Sequence, residues 1–136
     1  MKKLNRYERG FIEGIIDGEG YLEFSKQGVS KNENSRTKSG FVWRSRLSIS
    51  NNSLKLLNKV QRICGKGFIV KKPKGNYELR YGSNVLRKLL PQIKLVVKER
   101  KRRVLTKALS IITFGRNQYT ENYDKKLEKL LVEFKN

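Results

Sequence analysis

Between Phe11 and Gln27 the apolar spacing switches from a helical to a strand period across a single glycine. Phe11, Ile12, Ile15 and Ile16 fall at i, i+1, i+4 and i+5, one broad face of a helix over residues 7–18. Gly20 stops that helix, so the segment with its stop covers 7–20. Over about residues 21–28, Leu22 and Phe24 then alternate with Glu23, Ser25 and Gln27, which predicts a half-buried strand. A helix feeding directly into such a strand points to a mixed α and β architecture.

The remaining chain extends the pattern. Ser30–Gly40 is polar and has nothing to bury, so a mobile loop is expected there, ordered only on a ligand. In the strand over about 41–50, Phe41, Trp43, Ser45, Leu47 and Ile49 share one face, while Val42, Arg44, Arg46, Ser48 and Ser50 share the other. Asn52 or Ser53 can cap a second helix running to about Cys64, with Leu54, Leu57, Val60, Gln61 and Cys64 at helical spacing and Gly65 and Gly67 ending it. Residues 68–72 and 77–81 read as a hairpin around Pro73-Lys-Gly-Asn76. Ser83–Leu90 reads as a short helix stopped at Pro91, Lys98 to about Phe114 as a longer one, and Asn122–Phe134 as the last. The expectation is a single α+β domain over 1–136, ordered αββαββα, with an antiparallel four-stranded sheet, helices on one face and a polar second face.

Charge narrows the partner. Thirty-two lysines and arginines against 12 acidic residues give a formal charge of +20. Such a field attracts polyanions, and nucleic acid is the favoured one. A membrane partner is not expected, because no apolar run approaches the roughly 20 residues of a spanning helix. The first residues lack the apolar core of a signal peptide, so an intracellular protein, working with the DNA of the compartment where it is made, is expected. The single cysteine, Cys64, reads as a small core residue at a helix end. With no histidine, hydrolysis would have to run on carboxylates, lysines and metal-activated water.

Five of the 12 carboxylates, Glu8, Glu13, Asp17, Glu19 and Glu23, fall within sixteen residues of this basic chain. Asp17 and Glu19 sit at a helix C-terminus, where the macrodipole disfavours negative charge. A divalent cation with hard oxygen ligands, magnesium above all, is the natural compensation. Gly10, Gly14 and Gly18 form a ladder along the same helix, each weakening it by up to about 1 kcal/mol relative to alanine. Small residues at that spacing let another helix approach closely. If that helix is its own symmetry mate, Glu19 is brought near its counterpart and one motif per chain builds a paired site.

The run Ile12-Glu-Gly-Ile-Ile-Asp-Gly-Glu-Gly20, followed by a strand, resembles the signature of the LAGLIDADG homing endonucleases. The resemblance implies motif helices packed at a subunit interface through Gly10, Gly14, Asp17 and Gly18. It makes Glu19, the second acidic position, the ligand of the metals that cleave both DNA strands, with the Gly18 carbonyl beside it. Asp17, the first acidic position, is expected to serve the helix end. One copy of the motif resembles the homodimeric branch, which cuts long, pseudo-palindromic sites in double-stranded DNA, commonly from within introns. Magnesium is the implied cofactor, with manganese as a substitute. The resemblance also puts a polar residue after the second strand, here Asn51, where glutamine is commoner, and a lysine ahead of a later helix, near the cleaved phosphates. Lys98 holds that second place, with Lys94 and Lys101 as competitors.

The strand pattern supplies a DNA reader. Glu23, Ser25, Gln27, Arg44, Arg46 and Ser48, joined by Lys72, Asn76, Glu78 and Arg80 of the hairpin, carry donors and acceptors suited to base edges in a major groove. Cations of the 98–107 segment suit phosphates or a solvated helix face equally well. Two rival functions use the same scaffold: a maturase binding intron RNA, and a DNA-binding regulator that does not cleave. Glu133-Phe-Lys135 matches the tail of another nuclease signature but lacks a partner aspartate on a preceding strand, and Gly65-Lys-Gly67 is too short for a phosphate loop.

Overall fold

The computed structural model describes residues 1–28, 41–112 and 121–136. The loop expected at Ser30–Gly40 and the helix end expected near Phe114 lie outside the described residues. The first helix, α1, spans Arg6–Glu19 and starts earlier than its apolar spacing indicated. The reason is a capping box: the Asn5 side chain accepts from the Glu8 amide at 2.8 Å while Glu8 Oε1 accepts from the Asn5 amide at 3.0 Å. At the other end Gly20 caps α1 and begins β1, Gly20–Gly28. A Cβ at Gly20 would meet the Ile16 carbonyl oxygen at 2.8 Å and Ile16 Cα at 2.9 Å, so only glycine lets the strand leave the helix so sharply.

β1 pairs antiparallel with β2, Phe41–Asn51, through Leu22 opposite Leu47 and Phe24 opposite Ser45. Helix α2, Leu54–Cys64, follows. Its cap is Ser53, whose side chain accepts from the Leu56 amide, and Gly65, at φ 100°, ends it. β3, Phe68–Lys71, and β4, Tyr77–Tyr81, form the expected hairpin, with Gly75 at φ 91° in the turn. The strand order β1-β2-β4-β3 makes one antiparallel four-stranded sheet. Then come α3, Ser83–Leu89, a 3-10 turn over Leu90–Gln92 that accommodates Pro91, α4, Glu99–Ile111, and α5, Glu121–Lys135.

The helices cover one face of the sheet, as expected for an α+β chain of this order. Ile12 and Ile16 of α1, Leu57 and Val60 of α2 and Leu105 of α4 pack with Leu22, Phe24, Trp43, Leu47, Ile49, Leu79 and Tyr81 in one apolar core. Cys64 is buried there at the end of α2, where desolvation pushes its thiol up to about 12. Arg102 is also buried. Its guanidinium meets both oxygens of Glu99, at 2.6 and 2.7 Å, and donates to the Leu90 carbonyl at 2.9 Å. Chiefly through that bond, the Glu99 carboxyl is held down at about 2. Phe41, placed by alternation with the core face, is 44% exposed near the sheet's end, and the Lys26 ammonium stands 4.6 Å from its ring centre. Lys26 in turn pairs with Glu128 at 2.8 Å, and Trp43 Nε1 donates to Asp124 at 3.0 Å, so polar ties dock α5 on this end of the sheet.

Candidate active site and sheet face

Two long-range braces fix where α1 ends. The Asp17 carboxylate accepts three consecutive backbone amides: Val96 on Oδ2 at 2.6 Å, and Val97 and Lys98 on Oδ1 at 3.1 Å each. Lys98 is the N-cap position of α4 and Val96 and Val97 lead into it, so the carboxylate takes amides at and just before a helix start, where negative charge is favoured. In return, the Lys98 ammonium donates to two carbonyls in the last turn of α1: that of Ile16 at 3.1 Å, which also accepts the Gly20 amide, and that of Asp17 at 2.6 Å. Each helix end is thus capped by a side chain of the other. Desolvation pushes the Asp17 carboxyl up, but the three amides and the Lys98 charge outweigh it and leave it below the usual aspartate range. One turn earlier, Glu13 accepts the Lys94 amide at 2.7 Å and extends the brace.

Two residues beyond Asp17, Glu19 is exposed where α1 passes into β1. Its Oε2 accepts from Asn51 Nδ2 at 2.6 Å, and Asn51 Oδ1 accepts from the Ser53 amide at 2.7 Å. Asn51 is therefore held by the cap of α2 and in turn orients the carboxylate, leaving Oε1 for another ligand. Gly18 carries one of the last carbonyls of α1, beyond the pairing reach of the helix. A carboxylate and a carbonyl are hard oxygen donors of the kind magnesium takes, but far fewer than its six ligands. Among the described residues no three acidic or cysteine side chains cluster, so the donor set fits a divalent cation only as part of a larger site.

Of the three lysines at issue, Lys98 has its ammonium at the end of α1. It is spent on two carbonyls there, whereas Lys101 stands 5.1 Å over the Phe134 ring and Lys94 meets Glu13 through its backbone. Gly10, Gly14 and Gly18 are exposed, and a Cβ at any of them would meet nothing within 4 Å. The ladder is open to a partner. Asp17, grouped with these glycines for an interface, instead turns its carboxylate into the chain's own α4 start.

The sheet face away from the helices begins beside Glu19. The register sets Glu23 opposite Arg46, Ser25 opposite Arg44 and Gln27 opposite Val42, and all line a concavity of about 580 Å³. Arg44 and Arg46 make no ion pair with any described residue. Glu78 is engaged by Lys72 at 2.8 Å and by Arg80 at 2.6 Å. The Lys72 bond first, and then that of Arg80, hold its carboxyl below the usual range against desolvation. Asn76 sits at the hairpin turn, where its carbonyl accepts the Lys72 amide. Ser48 is a correction: expected with the exposed residues, it is only 8% exposed, and its buried hydroxyl has no hydrogen-bond partner among the described residues. In register it lies between the long side chains of Tyr21 and Arg80, which overreach a short serine.

Two aromatic residues join this face beyond those the alternation picks out. Phe68 lines the same concavity and Tyr21 is exposed on the row beside Glu19. For Phe68 the sequence carries the signal, because residues 68, 70 and 72 share one parity and Lys72 is expected to point outward.

No protein-family model matches the chain, and neither does any curated protein. Solved structures do. The fold is that of the LAGLIDADG homing endonucleases, an α+β architecture seen in proteins solved on DNA. The homing endonuclease I-CvuI in complex with the I-CreI target superposes with a TM-score of 0.69 at 17% identity, over 95% of this chain and 85% of that one. The archaeal intron-encoded homing endonuclease I-Vdi141I, complexed with DNA, gives a TM-score of 0.72 at 21% identity, over 95% of this chain and 82% of that one. I-SmaMI, described as a LAGLIDADG homing endonuclease bound to cleaved DNA, gives 0.71 at 22% identity, over 94% of this chain but 43% of its own length.

Proposed function

We propose that the protein is a site-specific homing endonuclease, encoded within an intron, that hydrolyses both strands of a long pseudo-palindromic DNA site as a homodimer. The observation that carries the reading is Glu19: an exposed carboxylate, oriented by Asn51, at the junction where a helix with an open glycine ladder enters an arginine-bearing sheet face. DNA lies on that face. Arg44 and Arg46 supply cations and guanine-directed donors, and Gln27, Ser25 and Asn76 supply amide and hydroxyl groups for other base edges. Two chains meet through Gly10, Gly14 and Gly18, which brings the two Glu19 carboxylates together and completes a donor set that one chain lacks.

Glu19 and the Gly18 carbonyl would hold magnesium, with manganese as a substitute. A divalent cation bound there supplies Lewis-acid stabilisation of charge developing at the scissile phosphate. Asn51 keeps Glu19 in one orientation. Lys98 acts as a positioning residue, since its ammonium fixes the carbonyl end of α1 from which Glu19 emerges. Cleavage of DNA spanning the insertion site of the host intron, with and without magnesium, tests the reading. Wild type should cut only with the metal, and Glu19→Gln should bind the same duplex but cut it at least about 100-fold more slowly. Binding without any cleavage by the wild type would sink it.

A further inference from the structure

Across the sheet face, Tyr21 of β1, Ser48 of β2, Arg80 of β4 and Phe68 of β3 stand in one row in register. The outermost, Phe68, is 66% exposed and takes no part in the apolar core. Phe68 instead lines the concavity that holds Arg44, Arg46, Arg80 and Gln27. An exposed aromatic ring inside a concavity otherwise rich in hydrogen-bonding groups suits an apolar partner, and a duplex major groove offers one such group on its base edges, the 5-methyl of thymine.

We propose that Phe68 is a specificity-determining residue that reads a thymine methyl group in bound DNA, an inference that rests on the endonuclease reading. Its register partner Arg80 gives the contact a neighbour. Arg80 is held by Glu78 through Nε at 2.6 Å, which leaves its terminal nitrogens directed elsewhere and suited to guanine. Directly opposed residues on neighbouring strands have Cβ atoms roughly 5 Å apart, about one and a half base-pair steps, so the two side chains address neighbouring base pairs. The contact also separates nucleic acids, because uracil in RNA lacks the methyl and the deep A-form major groove excludes side chains.

The test starts from duplexes selected by the wild-type protein out of a randomised DNA library. Each thymine of the selected site is then replaced singly by deoxyuridine, and affinity is measured by competition without magnesium. At one position per half-site, uracil should weaken wild-type binding about four-fold, the worth of one buried methyl group. Phe68→Ser should bind thymine and uracil duplexes alike, and Phe68→Leu should restore part of the difference. Circular dichroism of the variants checks that the fold is kept, as the exposure of Phe68 leads one to expect. If uracil is neutral at every position, or Phe68→Ser keeps the same uracil penalty, the proposal is overturned while the endonuclease reading stands. If no duplex is selected at all, both fall.

Discussion

Asp17→Asn is the sharpest perturbation of the brace between α1 and α4, because it changes charge and donor pattern while keeping shape. An asparagine oxygen in the place of Oδ1 could still accept the Val97 and Lys98 amides, but an amino group would replace Oδ2, where the Val96 amide now stands at 2.6 Å. Donor would face donor. One charge-assisted hydrogen bond is lost, worth about 1.5–3 kcal/mol, and the two that remain become neutral. The interaction of the carboxylate with the α4 dipole, about 0.3–1 kcal/mol, goes as well. Asp17 is partly exposed, so water recovers some of this, and a net loss of about 2 kcal/mol is expected. For a chain of this size that lowers Tm by about 6–10 °C. The sign with pH follows from the lowered carboxyl: the contribution is present above about pH 4, the unfolded aspartate value, and is lost as pH falls through the folded one. Circular dichroism melts at one protein concentration should therefore show the gap between wild type and variant at pH 7, shrinking toward pH 3. A gap below about 1 °C at pH 7, or one that widens in acid, would show that the Asp17 carboxylate does not brace α4. Lys98→Met should cost a similar amount, and the double variant less than the sum, because both side chains brace one junction.

Glu99→Gln should destabilise by about 3 kcal/mol at pH 7, since it leaves the buried Arg102 charge without its partner. With the Glu99 carboxyl held at about 2, the wild-type advantage over this variant should persist from neutral pH to near pH 4 and vanish only toward pH 2, as followed by urea unfolding. Gly14→Ala meets nothing within one chain and should stabilise an isolated helix by up to about 1 kcal/mol, while Gly14→Leu should hold two motif helices apart. Sedimentation velocity should then find the leucine variant monomeric at concentrations where the wild type is dimeric, and an unchanged dimer would remove α1 from the interface. Cys64 should resist thiol reagents in the native protein and react only on unfolding, because desolvation pushes its thiol to about 12.

Local rules served the fold well wherever a segment carried its own period and its own stop. α1, the alternation in β1 and β2 and the turn at Gly75 are all written within a few residues, and the structure follows them to within a residue or two. Where reading fell short locally, a legible signal was overlooked: Asn5-Arg-Tyr-Glu8 is a capping box, and it moves the start of α1. Phe41 and Ser48 failed for a different reason. Alternation assigns a face to each side chain but not the height of its neighbours, so it hides a short serine between Tyr21 and Arg80 and leaves Phe41 uncovered at a sheet end.

The candidate site divides along the same line. Glu19 could be singled out because its oddity is local, an acid at a helix C-terminus in a basic chain. What holds it could not, since Asn51 lies 32 residues away and the partners of Asp17 some 80. The Asp17 to Val96–Lys98 brace explains why two acids so close together have separate fates. Asp17 points into three backbone amides at and just before the start of α4, so its carboxylate is engaged inside the chain. Glu19, the last residue of the helix, meets a single amide donor among the described residues, on Oε2, and leaves Oε1 for another ligand. The same brace spends the Lys98 ammonium on helix carbonyls, a use that spacing cannot distinguish from contact with a phosphate. Electrostatics then bears on the cation: with the Asp17 carboxylate bound to backbone amides and the Lys98 ammonium to carbonyls, Glu19 is the carboxylate at this junction with an oxygen turned to a further ligand. A second copy of Glu19 would double that attraction at the place where one chain falls short of a full set of donors.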